Sequence, residues 1–296
     1  ELQNKADRSE LQNKADRSEL LAYRESLRYA ERYLRVLSKD IQSADGGKPS
    51  VAQFNAQPQL ATVGQAIADS EYDRLYLDFE YLYRGSEQAV AASLQRYRPW
   101  LPTVPDGSGG QPLALDLGCG RGEMVAYFHS CGYAAQGVDI NRVAVQTCLD
   151  HGLEAHCTDA LKFLAQQQEN SFQVISALHL VEHLHYDMLF QLLKSAWLAL
   201  QPGGLLLLET PNPRNLLVGS GDFYRDFTHQ APLFPDTLRF LLDHFGFVDS
   251  QNYFFQAKAN EVDQLVPGSQ VKFDDLQVYL SVSRDYAVLG YKPCAS

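Results

Sequence analysis

The chain has 296 residues, 45% of them apolar and 11% aromatic, enough to bury a core in one large domain or one domain with an extension. A formal charge of −11 leaves no general basic field for phosphates, which argues against nucleic acid as the main partner. No apolar run is long enough to span a bilayer, the first residues are charged helix formers rather than a signal peptide, and the five cysteines lack paired spacing, so a reducing, cytoplasmic setting is expected.

Glu1–Ser9 is repeated without change as Glu10–Ser18. A period of nine puts Leu2 and Leu11 on opposite faces of a helix of 3.6 residues per turn, so the repeat builds no apolar seam of its own. From Leu20 the pattern changes. Leu20, Tyr23, Leu27, Ala30, Leu34, Leu37 and Ile41 are spaced alternately three and four, an a/d seam over about three heptads, with Arg24, Arg28, Arg32 and Arg35 on the other face. Residues 1–43 therefore read as a coiled-coil helix for self-association or partner docking, and 44–62, rich in Gln, Pro and Ala, as a linker. Residues 63–110 form a helical cap. Leu75, Phe79, Leu82 and Tyr83 share one face, Gly85 ends that helix, and Ser86 caps a second one carrying Ala89, Val90, Leu94 and Tyr97.

Residues 111–296 alternate. Strands are expected at 113–117, 133–139, 153–157, 172–177, 205–209, 247–255 and 286–291. Helices are expected at 123–130, 143–151, 161–168, 186–200, 236–245 and 273–282, the fourth of them ended by Gln201-Pro-Gly-Gly204. This alternation predicts an α/β fold with a doubly wound, parallel-rich sheet.

The chemistry starts at Leu113-Ala-Leu-Asp-Leu-Gly-Cys-Gly-Arg-Gly-Glu123, a buried strand that turns through glycines into a helix. The glycines are spaced G-x-G-x-G, not the G-x-G-x-x-G of the dinucleotide fingerprint, which argues against a nicotinamide cofactor. Asp116 stands two residues before the first glycine and suits a cationic or amine-bearing ligand better than a pyrophosphate, with only Arg121 near to balance a phosphate. Asp139 ends the next strand, where its carboxylate can accept from two ribose hydroxyls. Asp159 follows the third strand, within reach of an adenine amino group.

Asp116, Gly118, Gly120 and Gly122, with Asp139 and Asp159-Ala160 at the next two strands and the Gln201–Gly204 turn before the fifth, resemble the motifs of class I S-adenosylmethionine-dependent methyltransferases. The resemblance covers about residues 71–293. It implies a Rossmann-like, seven-stranded methyltransferase sheet with an antiparallel last strand, and S-adenosylmethionine as cofactor. Carried over by position, Gly118 and Gly120 line the methionine and ribose, Asp139 holds the ribose hydroxyls, Ile140 packs on adenine, and Asp159 and Ala160 contact its edge. Asp116, Cys119, Gly122 and Leu178 complete that set, and Arg84 reaches the cofactor carboxylate or an acidic acceptor. A second block, Glu209–Asn215 with Phe223–His229 and Pro232, plus Tyr83–Ser86 and Asp285–Val288, is similar to bacterial methyltransferases of O-antigen and other cell-surface polysaccharide assembly.

The expected activity is thus O-methylation of a sugar hydroxyl on a polysaccharide or lipid-linked glycan, by a cytoplasmic oligomer peripheral to the inner membrane through partners. A small-molecule O-methyltransferase, for instance of a quinone precursor, is the alternative, and a coiled-coil scaffold holding cofactor is another. Removing a hydroxyl proton calls for a general base. His179, Glu182 and His183 after the fourth strand, and Asp226 and His229 after the fifth, are the candidates, because strand C-terminal ends face the ligand crevice. His229 is favoured, oriented by Asp226, with His179 second. His179-Leu-Val-Glu182-His183 also fits the H-x-x-E-H zinc-peptidase pattern, but it comes straight off a strand rather than along a helix, so no metal is assigned. The long segment 211–235, with Phe223, Tyr224, Phe227 and Phe234, reads as a lid over the acceptor.

Overall fold

The computed structural model describes residues 65–84, 86–104, 110–255 and 281–294. The expected coiled coil and linker at 1–62 lie outside the described residues, as does nearly all of the helix expected at 273–282.

Helix α1 (Gln65–Arg84) and helix α2 (Glu87–Leu94) come first, followed by a 3-10 turn, Gln95–Trp100. Ser86 caps α2 by accepting from the Ala89 amide at 3.3 Å. The buried face of α1 is not the expected one. Leu82 and Tyr83 are exposed, while Asp73 and Leu77 are buried. The reason is polar docking: Asp73 accepts from the Arg142 amide at 3.1 Å through its carboxylate and from the Asn141 side chain at 2.8 Å through its carbonyl.

Strand β1 (Leu113–Leu117) leads through the glycine turn into α3 (Glu123–Ser130), then β2 (Ala134–Asp139), α4 (Arg142–Asp150), β3 (Glu154–Cys157), α5 (Ala160–Ala165) and β4 (Phe172–Leu178). A one-turn 3-10 helix, Val181–His183, precedes α6 (Tyr186–Ala199). Then come β5 (Leu200–Pro211), α7 (Leu216–Ser220), a 3-10 turn Asp222–Arg225, α8 (Pro235–His244), β6 (Val248–Phe254) and β7 (Asp285–Tyr291). The strands form one seven-stranded sheet in the order β3-β2-β1-β4-β5-β7-β6. All neighbours are parallel except β7, which runs antiparallel to both β5 and β6. This is the seven-stranded sheet that the motifs imply.

Alternate side chains of each central strand feed opposite core layers. Leu115, Leu117, Ile175, Leu206 and Leu208 pack with α6 and α8, whereas Ala114, Val174, Leu205 and Leu207 pack with α3, Leu94 and Tyr97. Each fully buried leucine contributes about 1.5–3 kcal/mol, so the sheet is a rigid floor for whatever sits at its strand ends.

Two expectations change. Gln201-Pro-Gly-Gly204 does not separate helix from strand; it is the opening of β5 itself, with an irregular register where Phe172 pairs Leu200 but Val174 pairs Leu205. Gly204 is required there because a Cβ would meet the Gln201 carbonyl at 2.8 Å. The segment 211–235 is not a bare loop, since α7 and the Asp222–Arg225 turn fold within it. Asn215 caps α7 through its side chain and donates to the Val282 carbonyl, which ties this segment to the approach to β7.

Candidate active site

The turn after β1 holds Gly118, Gly120 and Gly122 at φ 68°, 50° and 86°, all left-handed. A Cβ on Gly122 would lie 2.7 Å from Leu153 and 2.9 Å from the Cys148 sulfur. One on Gly120 would sit 3.5 Å from Arg84 Nη1, so the guanidinium lies across the open face of the turn. Arg84 is paired with Glu80 at 3.6 Å.

Both Asp139 oxygens are engaged by backbone. Oδ2 accepts from Gly120 N at 2.9 Å and Oδ1 from Asn141 N at 2.8 Å. A carboxylate has about four acceptor sites, so two remain for ligand hydroxyls. Burial pushes its pKa up, opposed by those two amides. Asp116 is buried deeper; Ser176 donates to it at 2.6 Å, and burial lifts its pKa to about 7 despite that bond. Ile140 is 72% exposed just after the end of β2. Asp159 caps α5 by accepting from the Lys162 amide at 2.9 Å, which leaves its other oxygen outward, and Ala160 begins the helix. One residue behaves differently from expectation. Cys119 points its sulfur into the core, close against Gly137, so only its main chain can face a ligand. Arg121 is buried in a pair with Glu123 at 2.6 Å and does not reach toward a phosphate.

Next to the turn lies a cavity of about 350 Å³. Its walls are Tyr76, Phe79, Tyr83 and Arg84 of α1, Leu178 and His179 at the end of β4, and Phe223, Asp226 and His229 of the covering segment. His179 sits at φ 55° with Nδ1 3.3 Å from Glu182 Oε1 and Nε2 3.4 Å from Glu209 Oε1. Burial pulls its pKa down, but the two carboxylates outweigh burial and hold the ring protonated. Those carboxylates are pushed up by burial and brought below their ordinary range by the same ring. An imidazolium has no lone pair to offer, which weighs against His179, the second choice of base, and favours His229. Glu209 is further engaged by the Tyr97 hydroxyl and lies 3.7 Å from Arg96.

His229 is different. Its Nδ1 is 2.6 Å from the Phe223 carbonyl, an atom that can only accept. Nδ1 therefore carries a proton, so in the neutral ring the lone pair is on Nε2. Asp226 was expected to orient this ring, but its Oδ2 is 3.8 Å from His229 Nε2, and its hydrogen bonds come from the Tyr76 hydroxyl at 3.0 Å and from the Thr228 amide and hydroxyl at 2.8 and 2.6 Å. His183, 4.6 Å from His229 between ring centroids, is 2.8 Å from Thr228 Oγ1 through Nδ1, and burial lowers its pKa.

Donor atoms of Glu182, His183 and His229 lie within 4.8 Å of one another, as do those of His179, Glu209 and Asp285. Glu182 Oε1 is buried between two rings, 3.3 Å from His179 Nδ1 and 4.0 Å from His229 Nε2, so histidine nitrogens already surround it. The H-x-x-E-H stretch does not form a zinc-peptidase helix, because His179 ends a strand region while Glu182 and His183 sit in a single 3-10 turn. Sequence reading missed Tyr76, Thr228 and Arg96. The Asp226-x-Thr228 spacing, a common side-chain-to-backbone turn, was the one available hint.

A family model described as a methyltransferase domain matches residues 85–252. A structure of an S-adenosylmethionine-dependent methyltransferase from Archaeoglobus fulgidus is similar at 30% identity and TM-score 0.62, covering 73% of this chain and 99% of that one. A Thermotoga maritima structure described as a possible histamine N-methyltransferase shares the fold alone, at 14% identity and TM-score 0.54, over 75% of this chain and 97% of its own. Among curated relatives, a ubiquinone biosynthesis O-methyltransferase of Idiomarina loihiensis is 32% identical over 36% of this chain and 45% of its own length. One of the same name from Albidiferax ferrireducens is 24% identical over 55% and 62%. The chain thus spans about half the length of the curated relatives it matches.

Proposed function

We propose a small-molecule hydroxyl as the acceptor of this chain, which belongs to the methyltransferase-domain family and takes its methyl group from S-adenosylmethionine. The observation that carries the reading is His229, which lines the cavity and whose Nδ1 proton is pinned by the Phe223 carbonyl. The cofactor supplies a methyl group already activated on a sulfonium, so the protein's work is alignment and proton removal. In the proposed arrangement Asp139 and Arg84 hold the cofactor's ribose hydroxyls and carboxylate, and Ile140, Asp159 and Ala160 its adenine. His229 Nε2 would take the proton of the acceptor hydroxyl, freeing its oxygen to receive the methyl group that the bound cofactor would supply.

The glycan acceptor expected from the residues of 209–232 is the weaker reading. A cavity of about 350 Å³ is at the small end of ligand pockets, about 300–1,000 Å³, and suits one ring better than a run of sugars. The names of the curated relatives also point to a small acceptor. The test is transfer from labelled cofactor to a panel of small phenols beside extracted lipid-linked glycans. Label on the phenols supports the reading; label on the glycans alone restores the polysaccharide acceptor.

A further inference from the structure

We propose that Thr228 is a positioning residue that locks His183 into the tautomer presenting a bare Nε2 to the acceptor. The cavity then offers two hydrogen-bond-accepting nitrogens, of His229 and His183, rather than one. The inference deepens the methyl-transfer reading and rests on it for the role of the cavity, but its structural half stands alone.

The argument is one of proton counting. The Thr228 hydroxyl has a single proton and two close neighbours, Asp226 Oδ1 at 2.6 Å and His183 Nδ1 at 2.8 Å. A carboxylate oxygen is acceptor-only and takes the charge-assisted bond. The hydroxyl proton goes to Asp226, so the Thr228 oxygen must accept from His183, and the proton of the neutral ring sits on Nδ1. Asp226 is itself held by the Thr228 amide at 2.8 Å and by the Tyr76 hydroxyl at 3.0 Å, so the receiving end of the chain is fixed from two elements. His183 is neutral because its burial outweighs the attraction of Glu182 and Asp226. Its ring lines the cavity beside His229. Two imidazoles are thus held in the same tautomer by unrelated acceptors, one a main-chain carbonyl and one a threonine backed by a carboxylate.

His183 Nε2 would accept a hydrogen bond from the acceptor molecule and hold it while His229 takes the reacting proton. Removing this hold raises the acceptor's KM more than it lowers kcat, whereas removing His229 does the reverse.

The test uses protein labelled with nitrogen-15 in histidine and saturated with S-adenosylhomocysteine. Long-range proton–nitrogen spectra of wild type, Thr228→Val and Thr228→Ser report which nitrogen of His183 is protonated. The expected result is Nδ1–H in wild type, loss of that single tautomer in Thr228→Val at unchanged fold, and its return in Thr228→Ser. With the best phenol from the acceptor panel, Thr228→Val raises KM about tenfold with kcat within about threefold, and Thr228→Ser restores it. An Nε2–H tautomer in wild type, a Thr228→Val spectrum like wild type, or a Thr228→Ser protein no better than Thr228→Val overturns the proposal. So does a stoichiometric divalent cation in the purified protein whose chelation abolishes activity, because the two nitrogens would then serve the metal. A panel with no methylated phenol sinks the small-molecule reading and leaves the tautomer measurement to decide this one.

Discussion

His229 Nδ1 lies 2.6 Å from the carbonyl oxygen of Phe223, six residues earlier, and this contact decides which nitrogen of the ring can do chemistry. The carbonyl comes from the short Asp222–Arg225 turn, and the rings of the two residues pack at 4.5 Å between centroids. The proposed base is thus oriented within one stretch of chain. His229→Ala should lower kcat about 10²–10⁴-fold, the usual contribution of a general base, while S-adenosylhomocysteine binds as in wild type. Initial rates and calorimetry read the two effects separately, and an unchanged kcat removes His229 from the mechanism.

Asp139 joins the glycine turn to the start of α4 as well as facing the proposed cofactor. Asp139→Ala strands the Gly120 and Asn141 amides, at about 1–3 kcal/mol for an unsatisfied buried group. The expected outcome is a lower melting temperature together with an affinity for S-adenosylhomocysteine weakened at least about tenfold. Loss of stability with intact affinity would make Asp139 a purely structural residue.

The imidazolium of His179 between Glu182 and Glu209 makes stability depend on pH with two opposite signs. The ring's folded pKa lies above its unfolded value of about 6.5, so its contribution is complete below that pH and fades as pH rises through the folded value. The two glutamates fold with lowered pKa, so theirs is complete above about 4.3 and fades as pH falls. His179→Gln leaves buried Glu182 without its cation and Glu209 with Arg96 alone, a loss of about 3–5 kcal/mol. Melting curves should show the largest gap from wild type at about pH 5–7, narrowing on both sides. A gap that widens steadily toward alkaline pH would mean that the ring is neutral.

Gly122→Ala places a methyl group 2.7 Å from Leu153 and 2.9 Å from Cys148, on a backbone at φ 86°. The left-handed conformation alone costs about 1–2 kcal/mol for a residue with a Cβ. The variant should melt earlier and bind S-adenosylhomocysteine more weakly, whereas Gly152→Ala, left-handed but with open space around its Cβ, should keep its affinity. Equal affinity in the two variants would show that the shape of the turn does not matter to the cofactor.

Most of the scaffold is legible along the chain. The strand at Leu113–Leu117, the helix at Glu123–Ser130 and the acid at the end of β2 follow from local rules: apolar runs bounded by glycines, and one carboxylate per strand end. Where local rules misled, contacts distant in sequence had taken over. Gln201–Gly204 looks like a turn and continues a strand because Lys292 accepts from the Gly203 amide and donates to the Gly204 carbonyl. Leu82 looks like a core residue and is exposed because Asp73 docks α1 by hydrogen bonds instead.

The amino-acid order by itself determined the sheet and the place of the glycine turn, since both depend on periodicity and on residues that few backbones tolerate. How the three histidines differ was decided by the folded structure. His179, His183 and His229 share one side-chain chemistry, yet one is protonated by two carboxylates, one is turned by a threonine and one by a carbonyl. A titratable group takes its state from the charges, burial and hydrogen bonds around it, and Glu209 beside His179 and Thr228 beside His183 come from far away in sequence, whereas the Phe223 carbonyl on His229 is local but needs the chain folded into its turn.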